Sequence, residues 1–207
     1  MGLNPIIING RVLKSMNQYF NKKKAKLQSY IGDKGTSNKI ISLTNKRNRK
    51  ISDYLHKTSK YVIEMCLLNK IGKIIIGKNK QWKQEINIGS KNNQSFVAIP
   101  HAKLIEMIRY KAKMYQIEVI ITEESYTSKC SFIDNESIAK HEIYLGKRIN
   151  RGLFKSSNGL KINADVNGSL NIARKVIPNF NINSIEKGIQ GIVVSPIRVN
   201  PYKLKIG

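Results

Sequence analysis

Acidic side chains are what this sequence has least of: 13 Asp and Glu stand against 37 Lys and Arg, a formal net charge of +24. Self-repulsion on that scale opposes a compact state unless a polyanion offsets it, so the imbalance points to a nucleic-acid partner ahead of an anionic membrane surface. Cysteine is nearly missing as well. Cys66 and Cys130 are too few for a disulfide framework and their spacing makes no metal-ligand pair, so a reduced, intracellular protein is expected. Long apolar runs are lacking too: stretches such as Ile74 to Ile76 and Val193 to Val194 fall far short of the roughly 20 residues a membrane span needs. The opening "MGLNPIIING" has neither the basic nor the long apolar region of a signal peptide.

What is present suffices for a core, with 41% hydrophobic residues in 207, the size of one domain or one domain with an appendage. Residues 5 to 9 read as a strand between Pro5 and Gly10. From Lys14 to Tyr30, Met16, Phe20 and Leu27 recur among Lys22, Lys23, Lys24 and Lys26, which predicts a basic, weakly amphipathic helix. After turn-rich residues 31 to 39, "NKRNRK" with Arg47, Arg49 and Lys50 leads into a stronger stripe: Ile51, Tyr54, Leu55, Thr58, Tyr61, Val62, Met65 and Cys66. Residues 14 to 68 are therefore expected to form a helical hairpin. The first sixty residues carry fourteen Lys and Arg against Asp33 and Asp53, a net of +12, so half the excess charge lies there. A solvated face explains one such run as well as a phosphate-binding face does.

Further on, unbroken Ile74, Ile75 and Ile76 suit a central strand buried on both faces. Pro100 opens a helix with Leu104, Ile105, Ile108, Ala112 and Tyr115 on one stripe, and Ile117 to Thr122 is a strand. That order of continuous apolar strand, helix and strand predicts an α/β layer structure. Residues 131 to 161, punctuated by Gly146, Gly152 and Gly159, read as an excursion of loops or short hairpins. Val166, Leu170, Ile172, Ala173, Val176 and Ile177 fit a last helix ending before Pro178, and residues 178 to 207 read as an irregular tail.

Because acids are scarce, each one matters. Glu123 and Glu124 lie at a strand's carboxyl end, where catalytic groups collect in open α/β sheets, and Asp165 lies at a helix start, where a cap or first-turn carboxylate is common. His56, His101 and His141 share no ligand spacing. Trp82 in its basic loop could stack on a base or anchor packing, and Lys129, with Tyr126, Thr127 and Ser128, could meet a phosphate.

The stretch "EESYTSKCS" followed by "NADVNGSLNIARK" resembles the C-terminal nuclease region of the OrfB/TnpB family of insertion-sequence transposon proteins, related to the effector nucleases of type V CRISPR systems. "PIIINGRVLKSMNQYFNKKKAKLQS" and "GKIIIGKNKQWKQEINIGSKNNQSFVAIPHAKLIEMIRYKAKMYQIEVI" resemble its middle section, so the likeness runs from Asn4 to Val176. It implies an α/β, ribonuclease-H-like (RuvC-type) sheet flanked by helices over residues 1 to 177, with residues 14 to 68 as an inserted basic helical hairpin. It also implies a transposase-type, RNA-guided DNA endonuclease in a bacterial, nucleoid-associated cytoplasmic setting, with guide RNA and target DNA as partners and no membrane. On this resemblance Lys22, Lys23, Lys24, Lys26, Arg47, Arg49, Lys50, Trp82 and Lys129 are candidate nucleic-acid contacts.

Family members gather three acidic motifs on Mg²⁺ or Mn²⁺, since hard cations take oxygen ligands and two of them about 3.5–4 Å apart stabilise attacking and leaving oxygens. Asp165 in "ADVNG" matches the third motif. The first, an Asp-x-Gly segment, has no counterpart because no acid precedes Asp33, so the chain is expected to be shortened at its front and to need a complementary N-terminal fragment. At the second motif Gly77 stands where the glutamate belongs. Either this branch has lost that acid, or Glu124, with Glu123 as alternative, reaches the position from the next strand about 4.8 Å away. The family's zinc knuckle would fall in residues 131 to 161; only Cys130 of its ligands remains, so a packed thiol and no zinc are expected. The expected chain binds nucleic acid and, with an incomplete Glu124 and Asp165 metal site, does not cleave alone. The alternative is a non-catalytic RNA- or DNA-binding module of the same descent.

Overall fold

The computed structural model describes residues 4–32, 35–79, 99–177, 179–184 and 196–203. They fall into two compact units, one within Met1–Ile7, Lys73–Trp82 and Glu118–Arg198, the other within Ile8–Gly72, Lys83–Ile117 and Val199–Gly207.

The second unit is helical. Its elements are α1 (Arg11–Gln28), α2 (Asn38–Leu68) and α3 (His101–Met114). Leu13 of α1, Ile51, Tyr54 and Leu55 of α2 and Met107 of α3 make one buried cluster, with Val12, Met16, Ile99 and Leu104 against it. The stripe read from Ile51 onward is the buried face of α2, but the helix begins thirteen residues earlier, where the Ser37 hydroxyl accepts a hydrogen bond from the Ile40 N–H at 3.4 Å. Only Ile40 is buried in that early stretch, so apolar periodicity had nothing to report there. Lys111 of α3 is laid across α2, its ammonium donating to the His56 carbonyl at 2.8 Å and the Ser59 hydroxyl at 2.7 Å. Burial holds its pKa below the ordinary lysine value, with Lys60 adding to the effect and Glu64 opposing it.

The C-terminal residues are less irregular than their sequence suggests. Ile197–Val199 form a strand, and Tyr202 sets its ring edge-on against Tyr54 at 5.2 Å while its hydroxyl donates to the Lys50 carbonyl at 3.0 Å. Burial, with Asp53 and Tyr54 nearby, pushes its phenol up to about 12.

The first unit mixes strands with one long helix. β2 (Lys73–Gly77) and β3 (Glu118–Thr122) run parallel, in register from Lys73 opposite Glu118 to Gly77 opposite Thr122; β1 (Ile6–Ile8) precedes them. Ile74, Ile75 and Ile76 are half-buried rather than enclosed on both faces, and among the described residues β2 has one strand neighbour. The described strands form sheets of two, two and three strands. The 131 to 161 excursion contains two strands of an antiparallel meander, β4 (Lys147–Asn150) and β5 (Leu153–Lys155), which continues into β6 (Lys161–Asn163). Helix α4 (Ala164–Val176) follows β6 directly and packs on β2, β3, β5 and β6. Ile133, Phe154, Ile162, Ala164 and Val166 form the core there, with Leu170 and Ile182 against them. No helix among the described residues is long and apolar enough to cross a membrane.

Candidate functional site

Beyond the last residue of β3 the two adjacent acids part company. Glu123 is exposed, and its backbone carbonyl accepts from the Lys175 ammonium at 2.9 Å. Glu124 is half-buried; burial raises its pKa above the usual carboxylate value, and the positive charge of Lys175 pulls the other way. Glu124 also stands against Gly77. A Cβ placed on Gly77 would lie 3.1 Å from the Glu124 Cβ and 2.5 Å from the Ile172 Cδ1 of α4. The Ile172 side chain of α4 thus crowds position 77, where a larger residue would force it to shift, and the Glu124 side chain starts beside that place.

Asp165 sits in the first turn of α4 and is exposed. The cap is Asn163, whose Oδ1 accepts from the Asp165 N–H at 2.9 Å and the Val166 N–H at 3.2 Å. The Asp165 carboxylate therefore has no capping duty, although a negative charge in that turn suits the helix dipole. Seven residues, two helical turns or about 10 Å of rise, separate Asp165 from Ile172, which marks the level of Gly77 on α4. No group of three or more His, Cys, Asp or Glu suited to a metal ion occurs among the described residues. One half-buried glutamate with a lysine at its side and one aspartate at the far end of the helix do not fit a pair of hard divalent cations, which need several convergent oxygens.

Between these acids in the chain lies the loop that carries Cys130. The thiol is fully buried, donates to the Ala139 carbonyl at 3.6 Å, and has a pKa raised chiefly by burial. Backbone groups around it are held by side chains. Asn167 accepts from the Phe132 N–H at 3.0 Å and donates to the Cys130 carbonyl at 2.9 Å; Asn171 donates to the Thr127 and Cys130 carbonyls at 2.9 and 2.8 Å. Glu136, 5% exposed, accepts from the Ser131 N–H at 2.7 Å and the Leu145 N–H at 2.8 Å. Arg174 donates to the Asn135 side chain at 2.8 Å and to the Glu136 carbonyl. Asp134 accepts from the Ser157 N–H and hydroxyl at 3.0 and 2.6 Å; burial raises its pKa, but hydrogen bonds from Ser131 and Ser157 outweigh that and leave it lowered. The signal in the sequence is the run of Asn163, Asn167 and Asn171 at intervals of four, the first capping α4 and the other two on one face of it.

Of the basic candidates, Lys22, Lys23, Lys24 and Lys26 are exposed on α1, and Arg49 and Lys50 on α2. Arg47 differs: its Nε and Nη2 donate to the Asn17 Oδ1 at 3.0 and 2.8 Å, and its guanidinium lies 5.3 Å from the Phe20 ring centroid. It holds α1 to α2. Burial lowers its pKa. Lys129 is exposed with its ammonium 5.8 Å from the Tyr144 centroid, and Trp82 lies outside the described residues.

The OrfB_IS605 family, described as "Probable transposase", matches residues 3–83, and the Cas12f1-like TNB domain matches residues 101–172. The chain is similar to the TnpB-like protein MJ0751 of Methanocaldococcus jannaschii, 32% identical over 120 residues, covering 56% of this chain and 43% of that protein. It is also similar to the TnpB-like protein ORF457 of Acidianus two-tailed virus, 31% identical over 105 residues, covering 50% of this chain and 21% of the other. The chain thus spans less than half the length of either relative. Among solved structures it resembles a chain of the Cas12f1–sgRNA–target DNA complex, at 22% identity and a TM-score of 0.52 over 77% of this chain and 42% of that one. That likeness speaks for a shared α/β fold.

Proposed function

Because the chain belongs to the TnpB family, we propose that it is a nucleic-acid-binding part of an RNA-guided DNA endonuclease and that these 207 residues do not cleave DNA by themselves. The observation that carries this reading is the pairing of abundant exposed cations with too few acids. The net charge is +24, yet no acid precedes Asp33, position 77 is a glycine crowded by Ile172, and Glu124 lies in the field of Lys175. Guide RNA and target DNA are the partners this reading implies, in keeping with the sgRNA and target DNA of the solved Cas12f1 complex.

Within the site, Glu124 is the better candidate for the relocated second acid, supported by its half-buried position beside Gly77, whereas Glu123 faces solvent. Asp165 supplies the third. Mg²⁺ or Mn²⁺ is the ion such carboxylates would serve, and two that do not converge give it too few ligands. We read the Cys130 loop as metal-free, because its sulfur is spent on Ala139 and its backbone on Asn167, Asn171 and Glu136.

The test is incubation of the full chain with labelled single-stranded DNA and Mg²⁺ or Mn²⁺. The expected result is binding without products. Robust cleavage that disappears in Asp165→Ala would overturn the inactivity. A module that serves only to bind is a second reading, favoured by the lysine beside Glu124. It predicts that Asp165→Ala leaves nucleic-acid affinity unchanged with and without divalent ions, whereas a residual metal role predicts a difference.

A further inference from the structure

Two cavities run along the α1 and α2 helices of the helical unit. One, of about 690 Å³, is lined by Tyr19, Lys23, Lys26, Tyr30, Lys39 and Lys46, among others. The other, of about 740 Å³, shares Tyr19, Leu43 and Lys46 with the first and continues past Phe20 to Arg11 and Lys50. The shared residues make them one trough. No carboxylate is among the described residues that line it.

The trough combines two features that bare charge does not explain. Tyr19, Lys23 and Lys26 recur at helical spacing on one face of α1, and Tyr30 follows just past its end, so two rings bracket two ammonium groups. Both rings are open to solvent, Tyr19 at 62% and Tyr30 at 72% exposure, although each carries a large apolar surface. The floor is fixed: Arg47, joined to Asn17 and laid over Phe20, sets the spacing of the two helices and lines the second cavity. Lys22, Lys24 and Arg49 do not line either cavity.

An occupant must be polyanionic, to match the cations, and must bring flat apolar surfaces free to meet tyrosine rings. Duplex nucleic acid keeps its bases stacked inside, and the acidic side chains of a peptide bring no aromatic planes of their own. Resting on the nucleic-acid-binding reading above, we propose that the trough binds a single-stranded polynucleotide. Its phosphates lie on Lys23, Lys26, Lys39 and Lys46, and two of its bases stack on Tyr19 and Tyr30. The nine positions from Tyr19 to the end of α1 alone rise about 14 Å, with Tyr30 beyond them, so the stacked bases are not neighbours and the intervening phosphates pass the lysines.

The experiment is fluorescence anisotropy on the full chain with labelled oligouridylate and oligothymidylate of about 15 nucleotides and a duplex of similar length. The variants are Tyr19→Leu with Tyr30→Leu, which keeps apolar area but removes the stacking plane, and Lys26→Gln with Lys39→Gln and Lys46→Gln. The tyrosine pair is expected to weaken single-strand binding at least about tenfold while leaving duplex binding and the salt slope unchanged. The glutamine set is expected to lower the slope of log affinity against log salt by about 2. Tighter binding of either single strand, if it depends on the two tyrosines, supports the proposal and says whether RNA or DNA is the occupant. Unaltered single-strand affinity in the tyrosine pair, or a duplex held as tightly as the single strands, overturns the trough but leaves general binding standing. A chain that holds none of the probes removes both.

Discussion

Glu136→Gln should unfold the Cys130 loop more easily than any change at the cysteine itself. The wild-type carboxylate is almost wholly buried and receives two backbone N–H groups, from Ser131 at 2.7 Å and Leu145 at 2.8 Å. A glutamine of the same shape keeps one acceptor oxygen, so one bond falls from charge-assisted to neutral and the other N–H meets an NH₂ group. Hydrogen bonds to charged groups contribute about 1.5–3 kcal/mol, neutral ones about 1, and a buried donor left unpaired costs about 1–3, so the combined loss is roughly 2–4 kcal/mol. With a urea slope of about 2 kcal/mol per M, the unfolding midpoint should fall by about 1–2 M. The assay is urea denaturation followed by circular dichroism, with and without EDTA. The chelator should not move the wild-type midpoint, since the proposed clamp is a carboxylate and two asparagines. A variant within about 0.2 M of wild type would refute the reasoning, as would a midpoint that EDTA lowers.

Three other outcomes follow from the same geometry. Gly77→Ala should cost about 1–3 kcal/mol through its contact with Ile172, and Ile172→Val, which removes the Cδ1 at 2.5 Å, should cost less in the alanine background than in wild type; thermal melts of the four-member cycle check the coupling. Glu124 has a raised pKa, so the stability it contributes is fully present below the unfolded carboxylate value and is lost as pH rises through the folded one. Glu124→Gln should therefore stabilise the fold at pH near 7 relative to wild type, with the gain vanishing at about pH 4 and below in pH-dependent melts. Asp134 has the opposite sign. Its lowered pKa gives stability that is present above the unfolded value and lost as pH falls through the folded one, so Asp134→Asn should narrow the gap to wild type only in strong acid, as read from acid-unfolding curves.

The sequence made α3, the buried face of α2 and the last helix readable because their apolar residues recur every three or four positions. It left unread the first turns of α2, which bury little, and the tail, where Tyr202 finds Tyr54 across about 150 positions that local pattern cannot join. At the site, Gly77 was legible as a missing acid, but its cause was not, since the crowding comes from Ile172 nearly a hundred residues later. Buried asparagines escaped for a related reason. Polar residues on a helix read as solvent-facing unless their partners are known, and the partners of Asn167 and Asn171 are backbone groups of a distant loop. Arg47 looked like one more cation in a basic run and is instead the joint between two helices.

The central claim is a chain that grips nucleic acid without cutting it, and one gel titration tests both halves. Labelled single-stranded RNA and DNA are incubated with the 207-residue chain in Mg²⁺ between about 50 and 200 mM salt, and bound and cleaved species are resolved together. The account predicts intact, shifted strands whose affinity falls steeply with salt. Either no shift at low salt, or products that depend on Asp165, would contradict it.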